Sequence, residues 1–223
     1  MIPAGQKARA DFPRFGLPQY ASRFPTKIDN QKIEFSINGR ETSEIDLSSS
    51  NLPRTTIQAD FHCVTTWSYL GAEWSGVRFS DLFKHLKDSS EAGNLEGAVF
   101  FAQDGYKTSL ILEDLLSEDV LVADTLDGEP LSIDHGAPLR LVAPAHYGYK
   151  NLKHLSRIEL HSKLPVIKRG IRAFLDHPRA RVSKEERGKW IPGWILRYPY
   201  RLLIQGTIKD HKKAMRRYKF HSS

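Results

Sequence analysis

Cys63 is the only cysteine in the 223-residue chain, so any chemistry at sulfur rests on one thiol. A lone thiol cannot close an internal disulfide, and it excludes every zinc site built from several thiolates. Three roles remain: a soft anionic ligand for a high-valent, sulfur-rich metal site, a nucleophile, or a small buried hydrophobe. His62 stands beside it and suggests a Cys–His pair, but consecutive residues of a strand point to opposite faces. Only a local bend would bring the two together. Trp67 and Trp74 read as packing around this loop rather than as reacting groups.

The other residues suited to chemistry are cations. Leu139, Leu141 and Ala143 alternate with Arg140 and Val142, so a strand here sets Arg140 on the face opposite the apolar three. A guanidinium held against a packed sheet suits a forked contact with a phosphate, and a solvated sheet edge is the bland alternative. In Tyr147-Gly-Tyr-Lys-Asn-Leu-Lys, Gly148 permits a turn or a close backbone approach. If that segment coils, Lys150 and Lys153, three apart, face one anion; otherwise it is an ordinary basic turn.

The elements that must hold these groups are short strands separated by turns. Ile33, Phe35 and Ile37 alternate with polar residues before an Asn38-Gly39 turn, and Thr56 to His62 forms a second strand leading into Cys63. Ser80, with Asp81, Leu82, Phe83 and Leu86 after it, reads as the cap of a short helix with one apolar face. Gly97 to Ala102 reads as a buried strand, Asp104-Gly105 and Asp127-Gly128 as turns, and Ser109 to Leu116 as a strand passing into a short helix. Leu139 to Ala143 and Leu155 to Leu160 supply two more strands. Many short strands with few helices fit an α+β domain better than repeated βαβ units. Residues 1–30, rich in Pro, Gly and aromatics, read as an extended arm on that domain.

The net charge of +7 is unevenly placed: residues 161–223 carry 17 Lys and Arg against 4 acidic residues, and residues 1–160 carry 16 against 22. The chain therefore divides into a body, 1–160, and a basic extension, 161–223. Trp190, Trp194, Tyr198 and Tyr200 in the extension stand around Pro192 and Pro199, ahead of Lys209, Lys212, Lys213, Arg216, Arg217 and Lys219. Such a segment suits an arm packed on the acidic body first, a membrane surface next, and nucleic acid last, since no nucleic-acid motif accompanies the charge. The chain has no run of about twenty apolar residues and starts with neither a secretory leader nor a twin-arginine pair, so the expected location is cytoplasmic, with peripheral membrane association through the extension as an option.

Three segments taken together resemble the oxidoreductase molybdopterin-binding family, which includes sulfite oxidase, plant-type nitrate reductase and the catalytic subunit of the bacterial methionine sulfoxide reductase. They are Asp60-Phe-His-Cys-Val-Thr-Thr-Trp-Ser with the later Trp74-Ser-Gly-Val-Arg-Phe-Ser-Asp-Leu, then His135-Gly-Ala-Pro-Leu-Arg-Leu-Val-Ala-Pro, then Tyr147-Gly-Tyr-Lys-Asn-Leu-Lys-His-Leu-Ser-Arg-Ile-Glu. The likeness covers roughly residues 10–160 and is greatest to small stand-alone bacterial members. It implies a sulfite-oxidase-type fold of mixed sheets with short helices, and a molybdenum–molybdopterin cofactor with Cys63 as the metal's thiolate ligand. It also implies two-electron redox chemistry, oxygen-atom transfer on a small substrate, and an electron partner that it does not identify.

By the same resemblance Arg140, His135, Asn151, Leu152 and Lys153 contact the pterin, with Lys150 nearer solvent, and His62 beside Cys63 joins the cofactor set. Looser correspondence adds Arg14, Phe15 and Gly16 from the N-terminal segment and Gln103 before the Asp104-Gly105 turn. The Arg-Asn-His pattern that sulfite oxidase carries near its start is missing, so the resemblance leaves the substrate open. No haem-binding segment or extra dimerisation domain is found. Two other classes fit parts of the chain: a binding module whose active part is the basic extension on a degenerate scaffold, and a thiol-dependent hydrolase using Cys63.

Overall fold

The computed structural model of the chain describes residues 1–23, 25, 31–88, 94–167 and 177–221. Parts of the expected N-terminal arm (24 and 26–30) and of the extension (168–176 and 222–223) lie outside the described residues. The strands are β1 (Lys7–Arg9), β2 (Lys32–Ile37), β3 (Arg40–Asp46), β4 (Arg54–His62), β5 (Trp67–Arg78), β6 (Gly97–Ala102), β7 (Lys107–Ile111), β8 (Leu121–Leu126), β9 (Glu129–Pro130), β10 (Arg140–Val142) and β11 (Leu155–His161). The helices are α1 (Phe79–Asp88), α2 (Leu112–Leu115) and α3 (Gly193–His221).

Two mixed sheets form an α+β body. In the first, β5 is the spine: it pairs with β1 in parallel and with β4 and β8 in antiparallel register, while β10 and β9 extend the sheet through β8. The second runs β3-β2-β11-β6-β7. Asn38 and Gly39 both take positive φ, 50° and 70°, which is the turn a two-residue hairpin requires, and they join β2 to β3.

Ile33 and Phe35 of β2, Phe100 of β6 and Ile158 of β11 pack in one core with Val77, Val122, Leu139 and Leu141 of the first sheet. This main core therefore lies between the sheets. The reverse face of the first sheet buries Trp74, Leu121, Ala123 and Val142 against Phe12 of the N-terminal arm. The period-two alternation around Arg140 thus has a physical outcome, with Leu139, Leu141 and Ala143 in one core and Val142 in the other.

Some boundaries differ from the sequence expectation. α1 begins at Phe79 rather than after a Ser80 cap; fully buried Phe79 donates its N–H to Val120 O at 2.9 Å, so tertiary packing sets the start. The arm contains the short strand β1 and a single helical turn at Pro18–Tyr20. The largest difference is α3, a 29-residue helix with Pro199 inside it. Proline lacks an N–H and leaves the Ile195 carbonyl without its i+4 donor, a break that hides the helix from pattern reading.

Candidate functional site

β4 ends at His62, and the chain reverses over Cys63–Thr66 to enter β5. Cys63 N donates to Trp67 O (2.8 Å), Thr66 N donates to Cys63 O (3.1 Å) and Gln6 Nε2 donates to the same carbonyl (3.1 Å). Three bonds to one residue's backbone hold the sulfur in place. Cys63 Sγ lies 3.1 Å from Thr65 Oγ1 and faces a cavity of about 780 Å³. Burial pushes the thiol pKa up, while the Thr65 hydrogen bonds and the charges of Arg187 and Lys153 pull it down. With burial dominant, the free thiol stays protonated, and a bound cation is what would displace the proton.

His62 points elsewhere. Its Nδ1 lies 2.8 Å from Ser68 Oγ, and it is not part of the cavity wall. The alternation of strand faces that weakens a Cys–His dyad also separates His62 from Cys63 as a cofactor contact, which corrects the sequence expectation.

A cluster of cations lies behind and beside the cavity. Arg140 has no solvent exposure, donates Nη1 to His135 O at 2.9 Å, and sits over Trp74 at 4.6 Å and Phe61 at 5.7 Å. Its Nε and Nη2 have no hydrogen-bond partner, and burial lowers its pKa to about 9. Half-buried Lys153 donates Nζ to Asp134 O at 2.6 Å. Burial first, then Arg140 and Arg14, lower its pKa well below the usual lysine value. Arg14 donates to Ile133 O (3.2 Å) and Asp134 Oδ1 (3.3 Å). Of these three, Lys153 and Arg14 line the cavity, and Arg140 lies behind the Phe61 ring that does.

The surrounding histidines register the same field. Burial foremost, then the Lys153 charge, depresses His135 to about 4. His154 falls to about 3, mainly by burial, against a 2.7 Å contact from its Nδ1 to Ala137 O. His211 of α3 falls to about 4 by burial and by the Lys153 and Arg14 charges; the Gly16 backbone lies near enough to favour protonation, but neither ring nitrogen has a partner at hydrogen-bond geometry.

These rings are neutral in the folded chain and take up protons in the unfolded chain below its ordinary value of about 6.5. Their stabilising contribution is therefore complete above pH 6.5 and is lost as pH falls toward 4. Each ring contributes a slope approaching about 1.4 kcal/mol per pH unit. Urea titrations of cofactor-free protein from pH 7 to 4.5 are expected to show this loss above the range where carboxylates titrate. A bound polyanion should flatten it.

The remaining predicted residues divide clearly. Phe15, Gly16, Asn151 and Leu152 line the cavity. Asn151 spends its polar atoms on the 143–151 loop, accepting from Ala143 N (2.7 Å) and donating to Ala143 O and His146 O (both 3.2 Å). Gln103 is exposed and outside the wall; the turn after it, Asp104 to Tyr106, is what reaches the cavity. His135 is likewise outside the lining and packs in a tilted contact against Phe12, ring centroids 4.7 Å apart at 49°.

Lys150 is buried rather than near solvent, and donates to Ser109 O (2.7 Å) and Pro178 O (2.6 Å). The segment does coil, with Lys150 N donating to Tyr147 O (2.8 Å) and Asn151 N to Gly148 O (3.1 Å), yet of the two lysines Lys153 lines the cavity and Lys150 does not. Close packing requires glycine at 148: a Cβ there would lie 2.4 Å from Phe61 Cζ. Gly136, at φ 108°, also closely approaches a side chain, with Lys153 Cβ 2.9 Å from an added Cβ.

Sequence reasoning missed Thr65, Tyr106, Thr207 and His211, all in the cavity wall. The extension supplies the last two, together with Tyr200 and Leu203. It is tied down by Tyr147 N donating to Ala180 O (3.0 Å), by Val182 N donating to Ala145 O (2.9 Å), and by fully buried Arg187 donating to Val64 O. Among the described residues no group of three or more His, Cys, Asp or Glu is placed to hold a metal ion. The cations beside the cavity suit an anionic ligand.

Residues 21–165 match the oxidoreductase molybdopterin binding domain family. The oxidoreductase YuiH of Bacillus subtilis (strain 168) is 34% identical over 161 residues, 71% of this chain and 78% of its own length. The protein-methionine-sulfoxide reductase catalytic subunit MsrP of Xanthomonas axonopodis pv. citri (strain 306) is 30% identical over 115 residues, 46% of this chain and 35% of its own. The chain thus spans most of the first relative and about a third of the second. The sulfane dehydrogenase SoxCD from Paracoccus pantotrophus superposes with a TM-score of 0.56 at 20% identity, over 74% of this chain and 51% of that one, which shows a shared fold.

Proposed function

Because the chain belongs to the oxidoreductase molybdopterin binding domain family, we propose that it binds a molybdenum–molybdopterin cofactor and catalyses two-electron oxygen-atom transfer on a small substrate, with Cys63 as the metal's protein ligand. The supporting observation is the sharing of one cavity by a single cysteine sulfur and the cations Lys153 and Arg14, the first held by the Asp134 carbonyl and the second beside the Asp134 carboxylate. The cofactor, when bound, supplies the redox-active metal; the protein binds and orients it and limits water.

Lys153, Arg14 and Arg140 would bear on the phosphorylated end, Arg140 through its two unpartnered nitrogens. His154 lines the wall as a neutral ring, its Nδ1 fixed on Ala137 O and its Nε2 without a partner. Thr65 would hold its hydroxyl on the sulfur. The name of the second relative makes a sulfoxide the first class to screen, followed by sulfite.

The test is elemental and pterin analysis of the chain expressed in a host that makes the cofactor. One molybdenum and one pterin per chain are expected, and their absence refutes the proposal. The hydrolase alternative needs a reactive thiolate, yet Cys63 is buried and raised in pKa, and the neighbouring His62 is engaged with Ser68. Iodoacetamide is accordingly expected to label native cofactor-free protein at least roughly tenfold more slowly than the urea-unfolded chain, read by mass spectrometry at pH 7.5.

A further inference from the structure

α3 has two faces of different character. Leu196, Tyr200, Ile208, His211 and Ala214 are buried on the body. The opposite side begins just before the helix with Trp190, 73% exposed, and continues at spacings of four through Trp194 (59%), Tyr198 (68%) and Leu202 (84%). Within the helix, four-residue spacing keeps Trp194, Tyr198 and Leu202 on one stripe. Over the following turns the same outward side becomes basic, with exposed Lys209, Lys212, Lys213 and Arg216. Asp210 is the only acidic residue from Gly193 to His221.

We propose that this outward stripe is a docking surface for an anionic phospholipid bilayer, on which α3 lies flat. Large exposed apolar patches on a folded chain mark interaction surfaces. Tryptophan and tyrosine favour the boundary between headgroups and hydrocarbon, and a helix with such a face and neighbouring lysines binds in the interfacial plane. Lys189 Nζ, 4.8 Å from the centre of the Trp190 ring, adds a cation beside the aromatic end. No described helix is long and apolar enough to cross a membrane, which accords with lying on the surface.

Charge selects this occupant over a second copy of the chain. A twofold contact through the stripe would set the lysine half against its own twin, or against the other copy's tryptophans. A bilayer with acidic headgroups accommodates both halves at once. The inference uses no step of the proposed redox function and stands or falls separately from it.

The test uses the full cofactor-loaded chain with vesicles of phosphatidylcholine alone, or mixed with phosphatidylglycerol. Sedimentation is expected to show at least about tenfold stronger binding to the acidic vesicles, with a blue shift of tryptophan emission. Combined Trp194→Ser, Tyr198→Ser and Leu202→Ser should remove the binding. Combined Lys209→Glu, Lys212→Glu and Lys213→Glu should remove the preference for acidic lipid, with circular dichroism and cofactor content unchanged in both. Wild-type protein that stays in the supernatant with both lipids overturns the proposal, as does binding that survives the triple serine change. A dimer that this change splits, without vesicle binding by the wild type, assigns the stripe to a second copy and overturns it too.

Discussion

Replacing Cys63 by serine is expected to lower turnover by more than about a hundredfold, beyond the loss seen when only an outer partner of a metal ligand is removed, while the cofactor stays bound. A serine hydroxyl keeps its proton at neutral pH and cannot supply the soft anionic donor of a thiolate. The fold should tolerate the change within about 1 kcal/mol, because Thr65 Oγ1, 3.1 Å from Sγ, is available to the new hydroxyl. Retention follows from the separation of tasks: Arg14, Arg140 and Lys153 would bear on the anionic end through side chains that the substitution leaves in place. Pterin content measured by fluorescence after release should stay near the wild-type value. Loss of pterin with normal turnover in the remaining loaded fraction would assign Cys63 to anchoring instead.

Arg140→Leu should move cofactor binding and cofactor-free stability in different directions. The fall of the Arg140 pKa from 12.5 to about 9 corresponds to about 5 kcal/mol held against the charged form in the empty site. Leucine relieves that, and sacrifices a cation–π contact with Trp74 of about 1–2 kcal/mol and a hydrogen bond to His135 O of about 1–3 kcal/mol with its desolvation cost. The relief at least matches the losses, so urea unfolding of the cofactor-free variant should equal or exceed the wild type in stability. Cofactor content of protein purified from a cofactor-competent host should fall at least about tenfold, the effect of losing one charge-assisted contact in a buried place. A merely structural Arg140 would lower both quantities. Arg140→Lys should not restore binding fully, since an ammonium cannot make the forked contact.

Residues with strong local pattern were readable from sequence. The Asn38-Gly39 turn and the alternation around Arg140 each have a short-range cause, and each holds in the fold. The motif around Cys63 placed the sulfur, and the fold brings Lys153, Asn151, Leu152, Arg14, Phe15 and Gly16 to the same cavity. The errors lie where tertiary packing decides. β3 is a polar strand that pairs only with β2 at the sheet edge, so it carries no apolar alternation to detect. His62 and Gln103 neighbour wall residues in sequence but project away from the wall. Lys150 was steered to two carbonyls by a turn whose direction no spacing rule reveals.

α3 and its His211 were the hardest. Only the charge imbalance and the aromatic cluster of the extension marked it as an interacting segment. Its inner face became part of the site through contacts with residues far away in the chain, such as Arg201 Nε to Thr66 Oγ1 at 3.4 Å. About half of the basic excess, 8 Lys and Arg against Asp210, belongs to a helix that borders the cavity on one side and presents aromatic and cationic side chains on the other.

X-ray absorption at the molybdenum edge of cofactor-loaded wild-type protein and of Cys63→Ser tests the coordination directly, because it counts the sulfurs around the metal without requiring a known substrate. Ligation by Cys63 predicts one fewer sulfur neighbour in the variant at equal metal loading. An identical sulfur count in the two proteins would contradict it.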